Sequence, residues 1–132
     1  MALQAELVWK GGVAFDAVAG NAALVIDSDG ITGPSPMQAV AVALSGCMAI
    51  DVVSILEKGR HPLTGLRVSF SAERAPQPPK RITTITLAFG ITGNVSALAV
   101  ERAIQLSRDK YCSVWHSLRE DIALTTRFDI RA

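Results

Sequence analysis

The stretch SPMQAVAVALSGCMAIDVVSILEKG, residues 35–59, constrains the fold more than any other segment. Ser35 suits a helix N-cap, Pro36 the first helical position and Gly59 a stop after Lys58, so the spacing predicts one helix of roughly six turns. Between residues 37 and 56 only Gln38, Ser45, Asp51 and Ser54 interrupt its apolar surface. A helix that covers one face of a sheet shows a polar stripe, whereas one that is apolar all round needs cover all round. A six-strand sheet in a chain of 132 residues covers about one face of it. The remaining face calls for a second copy, and a homodimer is predicted. Ser45, Gly46 and Asp51 inside the run suit a buried helix better than a bilayer span, so no membrane partner is expected.

The flanking sequence alternates with period two. ELVWK, VAFDAV and ALVID, separated by Gly11-Gly12 and Gly20-Asn21, predict a β-meander, because such pairs supply the positive φ of two-residue hairpins. LRVSFSAE puts Leu66, Val68 and Phe70 on one face, and TITLAFGI does the same with Ile85, Leu87, Phe89 and Ile91. The proline-rich RAPQPPK between them is a turn, too short for a domain linker. VSALAVERAIQLSRDKY is amphipathic through residues 98, 99, 103 and 106, with 100 and 104 widening the stripe. A short helix is predicted from Cys112 to Arg119. A last strand follows, with Ile122, Leu124, Phe128 and Ile130 alternating. The class is α+β with antiparallel strands and segregated helices, and one domain is expected over residues 1–132.

Charge excludes some partners. Lys+Arg 13 against Asp+Glu 12 leaves +1, with the basic residues scattered singly, so nucleic acid is not expected. The opening MALQAELVWKGG is broken by Gln4 and Glu6 and does not read as a secretion signal, which points to the cytoplasm. In that compartment two cysteines, Cys47 and Cys112, are not a structural disulfide framework.

Both thiols fall on or beside helices packed on the sheet, where they are either inert small hydrophobes or a redox pair. A peroxidatic thiolate attacks an O–O bond, and the sulfenic acid it becomes needs a second thiol for resolution. Mid-helix Cys47 gains nothing from a helix N-terminus, so its activation needs a cation or donors from elsewhere, with Arg74, Arg102, Lys110 and His116 as candidates. A zinc site from Cys47, Cys112 and His116 lacks the close ligand pair of structural zinc sites. Asp51, one turn beyond Cys47, needs hydrogen bonds or a cation and reads as structural. The residues alone leave core and nucleophile both open for Cys47.

GPSPMQAVAVALSGCMAIDVVSIL together with ERAIQLSRDKYCSV resembles the OsmC/Ohr family of osmotically induced and organic hydroperoxide resistance proteins, most closely its YhfA-like branch. The resemblance implies an intertwined homodimer with long central helices sheathed by antiparallel sheets. Cys47 then matches the peroxidatic and Cys112 the resolving cysteine. Organic hydroperoxides are the implied substrates and a dithiol the reductant, with no metal or prosthetic group as cofactor. An apolar wall from Met37, Val40, Ala43, Leu44 and Met48, with Gln38 beside it as a further substrate-binding residue, would receive the substrate. Where the characterised peroxidases carry an activating glutamate, ten residues before the first cysteine, this chain has Met37. The meander, where they carry an arginine, has only Lys10 as a cation. A competing expectation is therefore a member that binds a hydrophobic small molecule or partner without turnover, its thiols structural or redox-sensing.

Overall fold

Strand twist selects the turns of the N-terminal meander. In a computed structural model describing residues 2–132, strands β1 (Glu6–Gly11), β2 (Ala14–Ala19) and β3 (Ala22–Asp27) form an antiparallel sheet in chain order. Each connection has two central residues, of which only the first has positive φ, Gly12 at 57° and Gly20 at 60°. This is the type II′ pattern, which places glycine there because its twist matches that of the strands.

The loop after β3 is tied to Asp27. Its buried carboxylate accepts from the Asp29 N–H at 3.0 Å, the Thr32 N–H at 3.0 Å and Thr32 Oγ1 at 2.8 Å. The Thr32 amide is the main reason that this carboxyl is held below its ordinary pKa. Helix α1 (Pro36–Lys58) then begins in a reciprocal cap: the Gln38 N–H donates to Ser35 Oγ at 3.2 Å and the Ser35 N–H to Gln38 Oε1 at 2.9 Å. Ser-x-x-Gln is thus a capping box, satisfying two amide donors that a helix start leaves orphaned.

The chain divides into two compact units, Met1–Val42 and Ala43–Ala132, with α1 running from the first into the second. In the second unit β4 (Leu63–Arg74) and β5 (Ile82–Gly93) pair antiparallel. Next come α2 (Ala97–Leu106), a π-helical turn (Ser107–Tyr111), α3 (Ser113–His116) and β6 (Ala123–Arg131). Ser96 caps α2, its Oγ accepting from the Ala99 N–H at 3.2 Å.

The α+β class is as expected, and two features of the sheet differ. The strands form two three-stranded sheets rather than one of six, and β6 lies parallel to β5. Alternation decides which side chains face a core, but it is silent about which strand lies alongside. The helical crossover from β5 returns the chain to the end where β5 began, which is how parallel neighbours are joined.

Ile85, Leu87, Phe89 and Ile91 of β5 are buried as their alternation requires. On α2 the buried residues are Val100, Ala103 and Ile104, while Leu98 is 74% exposed, so the covered stripe lies C-terminal of the expected one. Helix α1 buries only Leu44, Met48, Val52 and Leu56, a stripe at four-residue spacing, and leaves Val42 and Ile50 about 70% exposed. Of the helices among the described residues it alone is long and apolar enough, at mean hydropathy 2.2, to cross a membrane by length and composition.

Phe89→Ala should cost about 3–5 kcal/mol because it empties a fully enclosed site, and Ser35→Ala only about 1 kcal/mol for a lost cap. Urea unfolding followed by circular dichroism checks both, and equal effects would contradict this account of the core.

Candidate functional site

Helical periodicity stacks Cys47 and Asp51 one turn apart on α1, both half-buried, at the edge of the stripe formed by Leu44 and Met48. The facing wall comes from the end of α2, where the helix widens into its π turn. There the Cys112 N–H donates to the Ser107 carbonyl at 2.8 Å, a bond spanning five residues rather than four. This insertion brings Ser107 and Cys112, five apart in sequence, to the ends of one wide turn, and both are fully buried. The backbone becomes extended at Cys112, whose sulfur then caps α3 by accepting from the Trp115 N–H at 3.4 Å.

The two walls meet through Asp51. Ser107 Oγ donates to Asp51 Oδ2 at 2.7 Å across 56 residues of sequence, supplying the partner that a carboxylate on an apolar helix requires. Cys47 Sγ, a carboxylate oxygen of Asp51 and Cys112 Sγ all lie within 4.8 Å of one another. Burial is the main force pushing the Cys112 thiol up from 9.0 to about 11; the Trp115 amide opposes it, and the neighbouring Cys47 and Asp51 add to it. At neutral pH Cys112 is therefore a thiol, with its proton in place.

The expected cations are engaged elsewhere. Arg74 Nε donates to the Lys80 carbonyl at 2.8 Å, Lys110 stands 5.3 Å from the Tyr111 ring centroid, and Lys10 pairs with Asp16 at 3.2 Å. Arg102 is exposed. His116 bonds the Arg108 carbonyl through Nε2 at 2.9 Å, so it braces the π turn and stands outside the thiol–carboxylate cluster. Of the residues expected to line a substrate wall, Leu44 and Met48 are core, Met37 and Val40 are half-buried, and Gln38 is exposed with Oε1 committed to the helix cap.

Sequence reasoning missed Ser107 and the Trp115 amide. The only available signal for Ser107 was its spacing of three and four from Ile104 and Ala103, which extends the α2 stripe by one position that a polar residue happens to fill.

The model of the family described as OsmC-like protein matches residues 27–127. Protein YhfA of Escherichia coli K12 is 38% identical over 133 residues, covering 98% of this chain and 99% of that protein. A hypothetical protein from Aquifex aeolicus superposes with a TM-score of 0.92 at 24% identity, covering 99% of this chain and 97% of that one. An organic hydroperoxide resistance protein from Elizabethkingia anophelis superposes at 0.72 with 14% identity, covering 99% and 97%. At such identities these two structures speak to the fold alone.

With its pKa near 11, Cys112 holds about 100-fold less thiolate at pH 8 than a thiol at 9.0. Iodoacetamide should label Cys112 at least about 100-fold more slowly in the folded protein than in urea, and peptide mapping by mass spectrometry measures the ratio. Equal rates would contradict the burial described here.

Proposed function

The chain belongs to the OsmC-like family, and from that premise we propose that it is a thiol-dependent reductase of organic hydroperoxides, its catalytic residues being Cys47 and Cys112. The observation that carries this reading is the approach of the two sulfurs to within 4.8 Å from separate structural elements. That distance leaves a disulfide only a short movement away.

Cys47, the less buried thiol, attacks the distal peroxide oxygen as thiolate. The O–O bond breaks, the alkoxide takes a proton and leaves as alcohol, and Cys47 becomes a sulfenic acid. Cys112 then attacks the Cys47 sulfur; its proton leaves with the departing hydroxide as water, and a disulfide forms. A dithiol reductant restores both thiols and is itself oxidised to a cyclic disulfide. The high pKa of Cys112 supports this division of labour, because a thiol that keeps its proton competes poorly for peroxide yet can supply that proton to the leaving hydroxide. The apolar character of α1 around Cys47 favours organic peroxides over hydrogen peroxide.

The whole chain acts here as one OsmC-like domain in a cytoplasmic homodimer. Support for the dimer comes from exposed apolar side chains in each unit taken by itself, Leu7, Val8, Trp9 and Leu24 of the meander in the first and Ile50 on α1 in the second. Exposed apolar side chains gathered on one element suit an interaction surface.

A second reading, an OsmC-like protein that binds a hydrophobic molecule or partner without turnover, is favoured by one observation. The ionisable groups acting on Cys112 are Cys47 and Asp51, both of which raise its pKa, with no cation among them.

One equivalent of cumene hydroperoxide should convert the reduced protein to a Cys47–Cys112 disulfide, seen by peptide mass spectrometry. Cys112→Ser should stop at sulfenic and sulfinic Cys47, and Cys47→Ser should consume no peroxide. Unchanged free thiols in the native protein would overturn the peroxidase reading and support the binding one. Ile50→Asp should shift the protein from dimer to monomer or aggregate in light scattering coupled to gel filtration, and an unaltered dimer would remove α1 from the interface.

A further inference from the structure

We propose that Cys47, Asp51 and Cys112 form a binding site for a thiophilic divalent cation, with Zn2+ as its natural occupant. The three donors come from α1 and from the segment after α2, and they converge within 4.8 Å. Zinc bonds of about 2.3 Å to sulfur and 2.0–2.2 Å to oxygen place tetrahedral donors about 3.5–3.8 Å apart, so a contraction of about 1 Å closes the site. Two thiolates select zinc over magnesium or calcium, which prefer oxygen alone.

Two further observations point the same way. Ser107, fully buried, fixes the Asp51 carboxylate through a 2.7 Å hydrogen bond, the kind of outer support that orients ligating carboxylates. The Trp115 N–H aims at Cys112 Sγ and supports charge on that sulfur. The cluster also lacks a cation of its own: among the described residues Asp51 enters no ion pair, and Arg74, Lys110 and His116 are committed elsewhere. Three donors suited to a metal therefore face one another with no cation of the protein among them, an arrangement that a divalent cation completes.

Binding exchanges the two thiol protons for the metal. One Zn2+ takes two thiolates and one carboxylate, two protons pass to solvent, the complex carries one negative charge, and nothing is oxidised. The fourth position falls to water. The sulfur lone pairs that would attack a peroxide are those that hold the metal, so zinc and peroxide exclude each other. Only this consequence rests on the peroxidase reading; the binding itself does not.

The experiment uses the reduced full chain, anaerobic, titrated with Co2+ as a spectroscopic probe. One equivalent per chain should produce a thiolate-to-cobalt charge-transfer band and intense tetrahedral ligand-field bands, both lost when Zn2+ is added. Ser107→Ala should weaken Co2+ affinity about 10-fold, and Asp51→Asn at least as much. No charge-transfer band at saturating Co2+ would overturn the proposal, as would a band that survives in the Cys47→Ser, Cys112→Ser double variant. A second measurement needs no variant: Zn2+ should slow the reaction of Cys47 with Ellman's reagent at least 10-fold, reversibly with EDTA, and an unaltered rate overturns the site. Neither measurement involves peroxide. A cobalt spectrum without peroxide turnover therefore defeats the enzyme reading alone, and turnover without the spectrum defeats this one alone.

Discussion

A carboxylate on an apolar helix has to be met by a donor from elsewhere, and the Asp51–Ser107 hydrogen bond is where that requirement is satisfied. The bond joins α1 to the end of α2 across 56 residues of sequence, and it lies where the two sulfurs approach. Removing Asp51 would strand the buried Ser107 hydroxyl, which costs more than the bond itself is worth. The same contact that joins two helices therefore lies beside the approach of the thiols.

The π turn makes this geometry available. Had α2 continued as a regular helix, residues 107 and 112 would point in different directions, because five residues overshoot a turn of 3.6. One wide turn brings both to the buried side and then releases the chain into the extended backbone that lets Cys112 cap α3. A distorted helix end is tolerated because two of its carbonyls are braced, that of Arg108 by His116 and that of Ser107 by the Cys112 amide. The site is thus built from a local irregularity, a common location for function in helices.

Chemically, the cluster is anionic in character, and this separates it from a thiol site armed by an arginine. Cys112 keeps its proton, since burial and two acidic neighbours act in one direction against a single amide. The proposed redox cycle and the proposed metal site draw on the same property in opposite ways. In the first the proton is delivered to a leaving hydroxide; in the second a cation replaces it.

Much of this was legible in one dimension. The hairpin glycines, the Ser35 cap, the alternation of β5 and the apolar length of α1 are local patterns, and each follows from backbone sterics, amide satisfaction or side-chain period. The two cysteines and their flanking motifs were equally visible, as was the need of Asp51 for a partner. The identity of that partner was not, because a serine that continues the α2 stripe is not marked as a partner for Asp51 until α1 packs there, and the π turn that places Cys112 is announced by no local pattern. Nor did alternation settle that the strands make two sheets or that β6 runs parallel to β5, since a strand's period says which face is buried and nothing about its neighbour. The sequence by itself thus determined the elements, the buried face of β5 and the chemistry on offer, while the faces that α1 and α2 bury differ from those expected. Only the tertiary structure decided which of those groups meet, because contacts between residues 47, 51, 107 and 112 depend on how separate elements pack and on one extra residue in a helical turn.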